Sequence, residues 1–345
     1  MRANSYTSNF KIIIKLIIFV LVMAAIFFVF GGKYKKAAEM NTVNAYTKAR
    51  FDDFYALEKN SLDMVFIGSS HSYCTFDPEK IDPYTGLNSF QMGTPSQHAD
   101  TTYYELREIY NYQNPEYVVM ELYWDVVDDD FELKQAESLF EVMNNQELID
   151  EYIKEVFPEG EKAKYNLPAI RYQQECFAYK SSEWEKALIE TLGVTKKTEA
   201  TNGTEYYRSK GYTFCDTVIP ESEFDRTNQF KNFDGKDWDF SPKQKEYLQK
   251  IIDLCSEKGS KLIFVTAPIA NVSMDFIKNY TAVQEKLSSF AAENNIPYID
   301  YNIVNMEENL LEIENFRDDA HLNDSGVAIV DTHFVKWFQQ NVVNG

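Results

Sequence analysis

The sequence predicts an α/β protein with a parallel sheet, a mid-chain insertion and one N-terminal transmembrane helix. Three observations lead to this prediction. Residues 12–32 are almost wholly apolar. From residue 63 onward, short apolar runs alternate with amphipathic helical patterns, which is typical of βαβ units and a parallel sheet. The alternation stops between about residues 126 and 240, where acidic, aromatic and Asn residues are frequent and the periodicity is irregular.

The apolar segment at residues 12–32 matches the ~20 residues that a helix needs to cross the hydrocarbon core. The alternative is a cleaved signal peptide, but its apolar region is usually only roughly 7–15 residues long and ends at a small-x-small site. No such site directly follows this segment. We therefore predict an uncleaved signal anchor in the lipid bilayer. Residues 1–11 are then a cytoplasmic N-terminus, and residues 33–62 a juxtamembrane helix.

The charge balance argues against nucleic acid as a partner. The formal net charge is -20, and the first 36 residues contain basic but no acidic residues, so the remainder is strongly acidic and repels phosphate backbones. The four cysteines show no C-x-x-C spacing, and we predict no metal site. No phosphate loop or dinucleotide fingerprint is found, so we predict no cofactor. A Cys176–Cys215 disulfide is compatible with an extracytoplasmic location, but the sequence does not decide it.

Five apolar runs are predicted strands, and the segments between them include four predicted helices. The strands are at residues 63–67, 88–92, 117–123, 261–266 and 296–300. The helices are at residues 101–112, 242–258, 281–294 and 325–340. Ser241 as N-cap, Pro242 at the first helical position and Gly259 as the stop delimit the second of them. In the insertion, residues 137–157 and 182–192 are predicted helices, and we expect the insertion to cover the carboxyl edge of the sheet.

The first candidate for chemistry is Ser70, in a Gly-Ser-Ser-His-Ser segment directly after the first predicted strand. A serine at the carboxyl end of a parallel strand is exposed in the crevice where such sheets bind ligands. A helix that began there could stabilise an oxyanion with its first amide groups. The alternative is a purely structural turn, because Gly-Ser-Ser turns are common. Ser69 and Ser72 are the neighbouring competitors.

The second candidate is the pair Asp318 and His321, ahead of the last predicted helix. A nucleophilic serine needs a neutral imidazole to take its proton and a carboxylate to orient that ring. An Asp three residues before a His can supply this carboxylate within one loop. The chain has only four histidines, and the others, His71, His98 and His333, have poorer contexts. The alternative is an acidic turn that caps the last helix, and the two roles are compatible.

Together, these two segments resemble the SGNH/GDSL hydrolase superfamily. The resemblance covers roughly residues 63–340, with the middle unmatched, and implies a flavodoxin-like three-layer α/β/α domain at residues 63–345. It implies a serine esterase or acyltransferase in which Ser70, Asp318 and His321 form the catalytic triad. Ser69 stands where the family's usual Gly-Asp-Ser has its Asp.

The resemblance also implies an oxyanion hole formed by the backbone amides of Ser70 and Gly93, which follows the second predicted strand. The family's third block is usually Gly-x-Asn-Asp, but residues 120–125 read Met-Glu-Leu-Tyr-Trp-Asp and lack the Asn. Trp124 or another side chain could substitute for it. The candidates for contact with substrate are His71, His98, Glu121 and Trp124.

Each of these four residues also has a structural alternative. His98 could lie in an exposed loop, and Glu121 could be a satisfied polar group at the end of a buried strand. The aromatic residues of the insertion suit a carbohydrate-binding cleft, although core packing is the default for a chain with 15% aromatic residues.

An anchored chain with Gly-Ser-Ser in place of Gly-Asp-Ser is similar to one subset of the superfamily. This subset contains the D-alanine transfer protein of lipoteichoic acid synthesis (DltD) and SGNH proteins that serve O-acetylation of polysaccharides. The charges that flank the span are nearly balanced and do not decide its orientation. The resemblance implies a single-pass protein of the cell membrane with an extracytoplasmic C-terminal domain. The implied substrate is an envelope polysaccharide or teichoic-acid-type polymer, and a membrane-bound O-acyltransferase is the implied partner. The missing Asn motivates one alternative, a catalytically silent scaffold or binding partner of such an acyltransferase.

Overall fold

The computed structural model describes residues 10–28, 44–171, 201–202, 204–218 and 228–345. The strands are β1 (Met64–Ile67), β2 (Ser89–Gln91), β3 (Tyr117–Glu121), β4 (Thr201–Asn202), β5 (Glu205–Ser209), β6 (Tyr212–Phe214), β7 (Lys261–Thr266) and β8 (Tyr298–Asp300). The α-helices are α1 (Phe10–Phe28), α2 (Ala45–Ala56), α3 (Ser70–Tyr73), α4 (Pro78–Thr85), α5 (Ala99–Tyr112), α6 (Trp124–Val127), α7 (Leu133–Phe140), α8 (Gln146–Glu155), α9 (Glu159–Tyr165), α10 (Pro168–Arg171), α11 (Pro242–Lys258), α12 (Asn271–Met274), α13 (Tyr280–Glu293), α14 (Tyr301–Glu308) and α15 (Asp324–Phe338).

The chain divides into two compact units. One comprises Met1–Val43 and Phe157–Thr198, and the other comprises Asn44–Val156 and Glu199–Gly345. The first unit contains α1, α9 and α10. The second contains both sheets and every residue of the candidate site described below.

Helix α1 is long and apolar enough to cross a membrane, with a mean hydropathy of 2.7 over its most apolar window. Its side chains are exposed, as expected for a helix whose apolar surface has no protein core to pack against. Residues 29–32 of the predicted anchor lie outside the described residues, as does the first part of the predicted juxtamembrane helix up to residue 43. In the described part of the predicted juxtamembrane helix, residues 44–62, the helix α2 covers Ala45–Ala56.

Five strands form one parallel sheet in the order β2-β1-β3-β7-β8. In the register of the sheet, Val65 of β1 lies opposite Phe90 of β2 and Val118 of β3. With the three hairpin strands of the insertion set aside, this is the 2-1-3-4-5 order of flavodoxin-like folds. The order reverses between β1 and β3, and sheets of this type bind ligands in the crevice at the carboxyl ends of such a strand pair. The predicted α/β fold with a parallel sheet is confirmed.

Two layers of helices cover the sheet. On one face, Phe66 of β1, Val119 of β3 and Val265 of β7 belong to a buried core that also contains Phe334 of α15. Because side chains alternate along a strand, the intervening residues point to the opposite face. There α5 and α11 pack against each other, and the Tyr110 hydroxyl donates to Ser260 Oγ at 2.8 Å. The domain is therefore a three-layer α/β/α structure.

The ends of two predicted helices follow from capping chemistry. Ser241 Oγ accepts a hydrogen bond from the Gln244 N–H at the start of α11, and Gly259 ends that helix in the left-handed conformation with φ 80°. Asn323 caps α15 by accepting from the N–H groups of Ser325 and Gly326. Single side chains therefore set these ends, and for α11 they are the ones that the sequence predicted.

The insertion differs from its prediction. Residues 137–157 form parts of two helices, α7 and α8, because Asn145 caps a new helix by accepting from the N–H groups of Glu147 and Leu148. The predicted helix at 182–192 and Cys176 lie outside the described residues. Strands β4, β5 and β6 form a separate antiparallel sheet that was not predicted.

The β5–β6 hairpin lies against the edge of the main sheet. The Gln91 N–H of β2 donates to the Lys210 carbonyl at 2.9 Å, and Arg50 Nε of α2 donates to the Gly211 carbonyl at 2.8 Å. Gly211 has φ 84°, and a side chain there would overlap with the Gln91 carbonyl. A glycine is therefore required where the hairpin meets β2.

Buried carboxyl groups make the stability of the domain depend on pH. Burial raises the pKa of Glu105 from 4.5 to about 8 and outweighs the opposing effects of its Gln97 hydrogen bond and of Arg50. Burial also raises the pKa of Asp100 and of Asp300 to about 6. In each case the folded state binds a proton more tightly than the unfolded chain does.

We expect the free energy of unfolding to fall as the pH rises from about 6.5 to about 8, because the unfolded chain has by then released the Glu105 proton while the folded chain retains it. Below pH 6.5 the buried His71 acts in the opposite direction, because its lowered pKa means that the unfolded chain binds this proton more tightly than the folded chain does. The check is the midpoint of urea unfolding at pH 7 and pH 8. The midpoint should be lower at pH 8, and Glu105→Gln should reduce the difference. The exposed control Glu58→Gln should leave it unchanged. Equal midpoints at both pH values in the unmodified protein would contradict the expectation.

Candidate active site

The turn after β1 carries Ser70 to the carboxyl edge of the sheet. Strand β1 ends at Ile67, Gly68 turns the chain with φ 129°, and α3 begins at Ser70. A Cβ atom at Gly68 would lie 2.9 Å from both the Cβ and the carbonyl oxygen of Glu121 on β3. Only glycine combines this positive φ with so close an approach. The Ser70 side chain consequently lies beside the crevice between β1 and β3.

The structure brings together the three residues of the predicted triad. Ser70 Oγ lies 2.9 Å from His321 Nε2, across 251 positions of sequence. His321 Nδ1 lies 2.9 Å and 3.0 Å from the two carboxylate oxygens of Asp318. With Nδ1–H donating to the carboxylate, Nε2 is left as the acceptor for the serine proton. This is the geometry that a serine nucleophile and its general base require.

Asp318 is held within its own loop. Its Oδ1 atom also accepts hydrogen bonds from the backbone N–H groups of Ala320 at 2.8 Å and His321 at 2.7 Å. Burial by itself would raise the pKa of Asp318. The neighbouring His321, the Ala320 N–H and Arg317 together outweigh it and hold the pKa well below its ordinary value. The carboxylate is therefore ionised at neutral pH and fixes the orientation of the imidazole.

Arg317 ties the triad loop to two other segments. Its Nη1 atom lies 2.8 Å from Glu205 Oε1 on β5, and its Nη2 atom lies 2.9 Å from Cys74 Sγ at the end of α3. Its Nε atom is 3.8 Å from Asp318. Sequence reasoning missed Arg317, and the only signal was its position directly before Asp318.

The backbone amides of the predicted oxyanion hole differ from each other. The Ser70 N–H has no hydrogen-bond partner within the described part of the chain. The Gly93 N–H donates to Gln91 Oε1 at 2.8 Å, and that oxygen also accepts from Ser72 Oγ at 3.2 Å. Gly93 can therefore act as the predicted donor only if the Gln91 side chain turns away.

The His71 ring lies between the rings of His321 and Tyr123. Its centroid is 4.6 Å from that of His321, with the two planes tilted by 34°, and it stacks on Tyr123 at 4.0 Å. Burial, reinforced by His321, lowers the pKa of His71 well below its ordinary value, so this ring is neutral at neutral pH. The rings of His71 and His321 are therefore in contact with each other next to Ser70.

Tyr123 was missed by sequence reasoning, although it lies within the segment that takes the place of the family's third block. Its hydroxyl group is buried and has no hydrogen-bond partner among the residues that the structure describes. Burial and the acidic groups around it, Asp125 first, raise the pKa of Tyr123 well above its ordinary value. The hydroxyl group therefore keeps its proton and is a free donor on the ring that stacks on His71.

The other predicted substrate contacts lie deeper in the domain. Trp124 is fully buried, and its ring packs against Tyr123 and Tyr280 at centroid distances of 4.9 Å and 5.1 Å. The expectation of an exposed loop position for His98 is wrong, because His98 is buried directly before α5. In the described ranges, no hydrogen bond or ring contact joins either residue to Ser70, Asp318 or His321.

Glu121 contacts the turn between β1 and α3 at Ser69. Its Oε2 atom accepts two hydrogen bonds from Ser69, from the N–H at 3.1 Å and from Oγ at 2.7 Å. No group of three or more His, Cys, Asp or Glu residues within the described ranges is arranged to hold a metal ion.

No family model and no curated protein matches the chain. Three solved structures show a distant likeness. A protein from Bacteroides fragilis, provisionally described as an acylhydrolase, has a TM-score of 0.39 at 11% identity, with 84% of this chain and 93% of that chain covered. A GDSL-like lipase from Bacteroides thetaiotaomicron has a TM-score of 0.38 at 11% identity, with 86% and 99% covered. The lipase/acylhydrolase from Enterococcus faecalis has a TM-score of 0.36 at 10% identity, with 81% and 96% covered.

Proposed function

We propose that this chain is a membrane-anchored serine esterase or acyltransferase of the SGNH/GDSL type. The observation that carries the proposal is the unbroken hydrogen-bond chain from Ser70 Oγ through His321 to Asp318, with distances of 2.9 Å at both links. A chance cluster would rarely orient both ring nitrogens of one histidine correctly between a hydroxyl and an ionised carboxylate. The arrangement supports acyl transfer through an acyl-serine intermediate.

The chemistry proceeds in two steps. His321 Nε2 takes the proton of Ser70 as Oγ attacks the carbonyl carbon of an ester, and the carbonyl oxygen becomes an oxyanion that the Ser70 N–H stabilises. When this intermediate collapses, the leaving alcohol takes the proton from His321, and the acyl group stays on Ser70. Water or a sugar hydroxyl then attacks the acyl-serine with His321 again as the base, which regenerates Ser70. No other reactant is required.

The anchor limits the range of substrates. A domain tethered outside the membrane by α1 meets cell-envelope glycans or teichoic-acid-type polymers at high local concentration, and we propose their O-acyl groups as the substrate. An esterase resolves the acyl-serine with water, and a transferase resolves it with a glycan hydroxyl. Comparing the products formed with and without a glycan acceptor separates these two activities.

One observation favours a second candidate function. Because the Gly93 N–H is already donated to Gln91, the Ser70 N–H is the only one of the two predicted oxyanion donors that is free in this structure. An SGNH-type scaffold that binds a membrane-bound O-acyltransferase, without turnover of its own, would tolerate this arrangement. Such a protein would retain the triad geometry but would not react with an acylating probe.

The test is reaction of the full-length protein, in detergent micelles, with a fluorophosphonate probe, followed by mass spectrometry to locate the adduct. We expect one adduct on Ser70, because only an activated serine attacks the probe at a useful rate. Ser70→Ala should abolish the adduct, His321→Ala should nearly abolish it, and the exposed control Ser289→Ala should leave it unchanged. A folded protein that forms no adduct would contradict the enzyme and favour the scaffold.

A further inference from the structure

A buried carboxyl group on β3 holds the turn that carries Ser70. Glu121 Oε2 accepts from the Ser69 backbone N–H at 3.1 Å and from the Ser69 hydroxyl at 2.7 Å. The Ser69 hydroxyl oxygen in turn accepts from the His71 N–H at 3.2 Å, which caps the first turn of α3. Glu121 is therefore bonded to the residue directly before the nucleophile at both its backbone and its side chain.

The backbone of Gly68, directly after β1, also closely approaches Glu121 of β3. The position of a Cβ atom at Gly68 would lie 2.9 Å from the Glu121 carbonyl oxygen and 3.1 Å from Glu121 Oε2. Glu121 is only 3% exposed and Ser69 is fully buried, so water cannot replace either partner. A protein interior this dense transmits a displacement of one residue to the next. A shift of Ser69 would thus shift the Ser70 hydroxyl and the Ser70 N–H together.

We infer that Glu121 is a positioning residue, which fixes Ser70 against His321 through its two hydrogen bonds to Ser69. The inference rests on the proposed function and deepens it. In this chain a serine directly precedes the nucleophile, and a carboxylate from the neighbouring strand reaches across to hold that serine. Glu121 does not touch the reacting atoms and acts only through Ser69.

The chemistry of the group fits this role. Hydrogen bonds to an ionised acceptor are about twice as strong as neutral ones. Burial raises the pKa of Glu121 to about 7, although both bonds from Ser69 oppose the shift. The hydroxyls of Tyr123 and Tyr298 interact electrostatically with Glu121, and burial keeps the pKa of each phenol well above its ordinary value. Both phenols therefore stay neutral while Glu121 ionises.

The test first compares two variants of Glu121 in the full-length protein by the second-order rate of fluorophosphonate labelling. Glu121→Met keeps the volume of the side chain but removes the acceptor, and it should lower the rate by about 100-fold, the cost of a displacement of roughly 1 Å. Glu121→Gln keeps an oxygen that can accept both bonds, and it should stay within about tenfold of the unmodified protein. The pH profile of Glu121→Gln should lack the ionisation that Glu121 contributes near pH 7.

A double-mutant cycle with Ser69→Ala isolates the coupling. If Glu121 acts through Ser69, the loss in the double variant of Ser69→Ala and Glu121→Met should be clearly smaller than the product of the two single losses. A multiplicative loss, or equal rates for the Gln and Met variants of Glu121 when both remain folded, would overturn the inference.

A second measurement tests the positioning role even if the unmodified protein does not react with the probe. That lack of reaction would contradict the proposed function but not the positioning role. Amide hydrogen exchange in peptides that cover residues 68–74 should be faster in Glu121→Met than in Glu121→Gln, because only the latter retains the bonds to Ser69. Unchanged exchange in Glu121→Met would overturn the positioning role whatever the activity of the protein.

Discussion

Replacement of His321 by Ala should lower kcat for hydrolysis of a simple aryl ester by about a millionfold, the loss seen when a serine hydrolase loses its general base. The reason is the hydrogen bond between His321 Nε2 and Ser70 Oγ at 2.9 Å, which among the described residues is the only bond that joins the serine hydroxyl to a base. His71 does not take over this role, because it makes no hydrogen bond to Ser70 Oγ and its pKa is well below the ordinary value.

The control for this experiment is His333→Ala. His333 lies within α15, where its Nδ1 atom is 3.3 Å from the Tyr301 hydroxyl, and it makes no contact with Ser70 or His321 in the described ranges. This variant should keep the activity of the unmodified protein. Retention of more than about a hundredth of kcat by a folded His321→Ala protein would contradict the role of His321, since a general base contributes about 10²–10⁴-fold even outside a triad.

Replacement of Asp318 by Asn should lower kcat by about 10⁴-fold with little change in KM. The amide can donate to His321 Nδ1, which favours the tautomer with the proton on Nε2, and Nε2 then cannot accept the proton of Ser70. The low pKa of Asp318, maintained by His321, the Ala320 N–H and Arg317 against burial, means that the unmodified side chain never offers such a donor at neutral pH.

The neighbouring residue provides the matched control. Asp319 carboxylate oxygens accept from the Gln229 N–H at 2.9 Å and from Gln229 Nε2 at 3.0 Å, with no bond to His321. Asp319→Asn changes the same charge in the same loop and should lower kcat by less than tenfold. Equal losses in the two variants would mean that the loop charge matters and the tautomer does not, which would contradict the proposed triad.

The hydrogen bond between the Gly93 N–H and Gln91 Oε1 distinguishes the two proposed functions, the enzyme and the silent scaffold. The Gln91 side chain bridges the Gly93 N–H and the Ser72 hydroxyl through Oε1, and its Nε2 atom donates to the Ser72 carbonyl at 3.0 Å. Turnover with the Gly93 amide as second oxyanion donor requires these bonds to break when substrate enters. The alternative donor is the free Tyr123 hydroxyl, which keeps its proton at neutral pH.

The sequence itself determined the α/β class, the five strands of the parallel sheet and its four longest accompanying helices, α5, α11, α13 and α15. Periodicity and capping are local properties, so Ser241, Pro242 and Gly259 were enough to delimit α11. The candidate triad could be proposed from the sequence because its members occupy short segments with a recognisable order along the chain. In the insertion these local signals are weak, and both the separation of α7 from α8 and the β4–β6 sheet were missed.

Only the tertiary structure decided how these residues meet. The contact of Ser70 with His321 spans 251 positions, that of Arg317 with Cys74 spans 243, and those of Ser69 with Glu121 span 52. Such contacts depend on the order and register of the strands and on which polar atoms are shielded from water by burial. A local sequence pattern does not specify any of these three properties. For this reason the sequence pointed to Ser70 as the candidate nucleophile, whereas the occupied amide of Gly93, the free hydroxyl of Tyr123 and the hydrogen bonds of Glu121 to Ser69 appeared only in the folded chain.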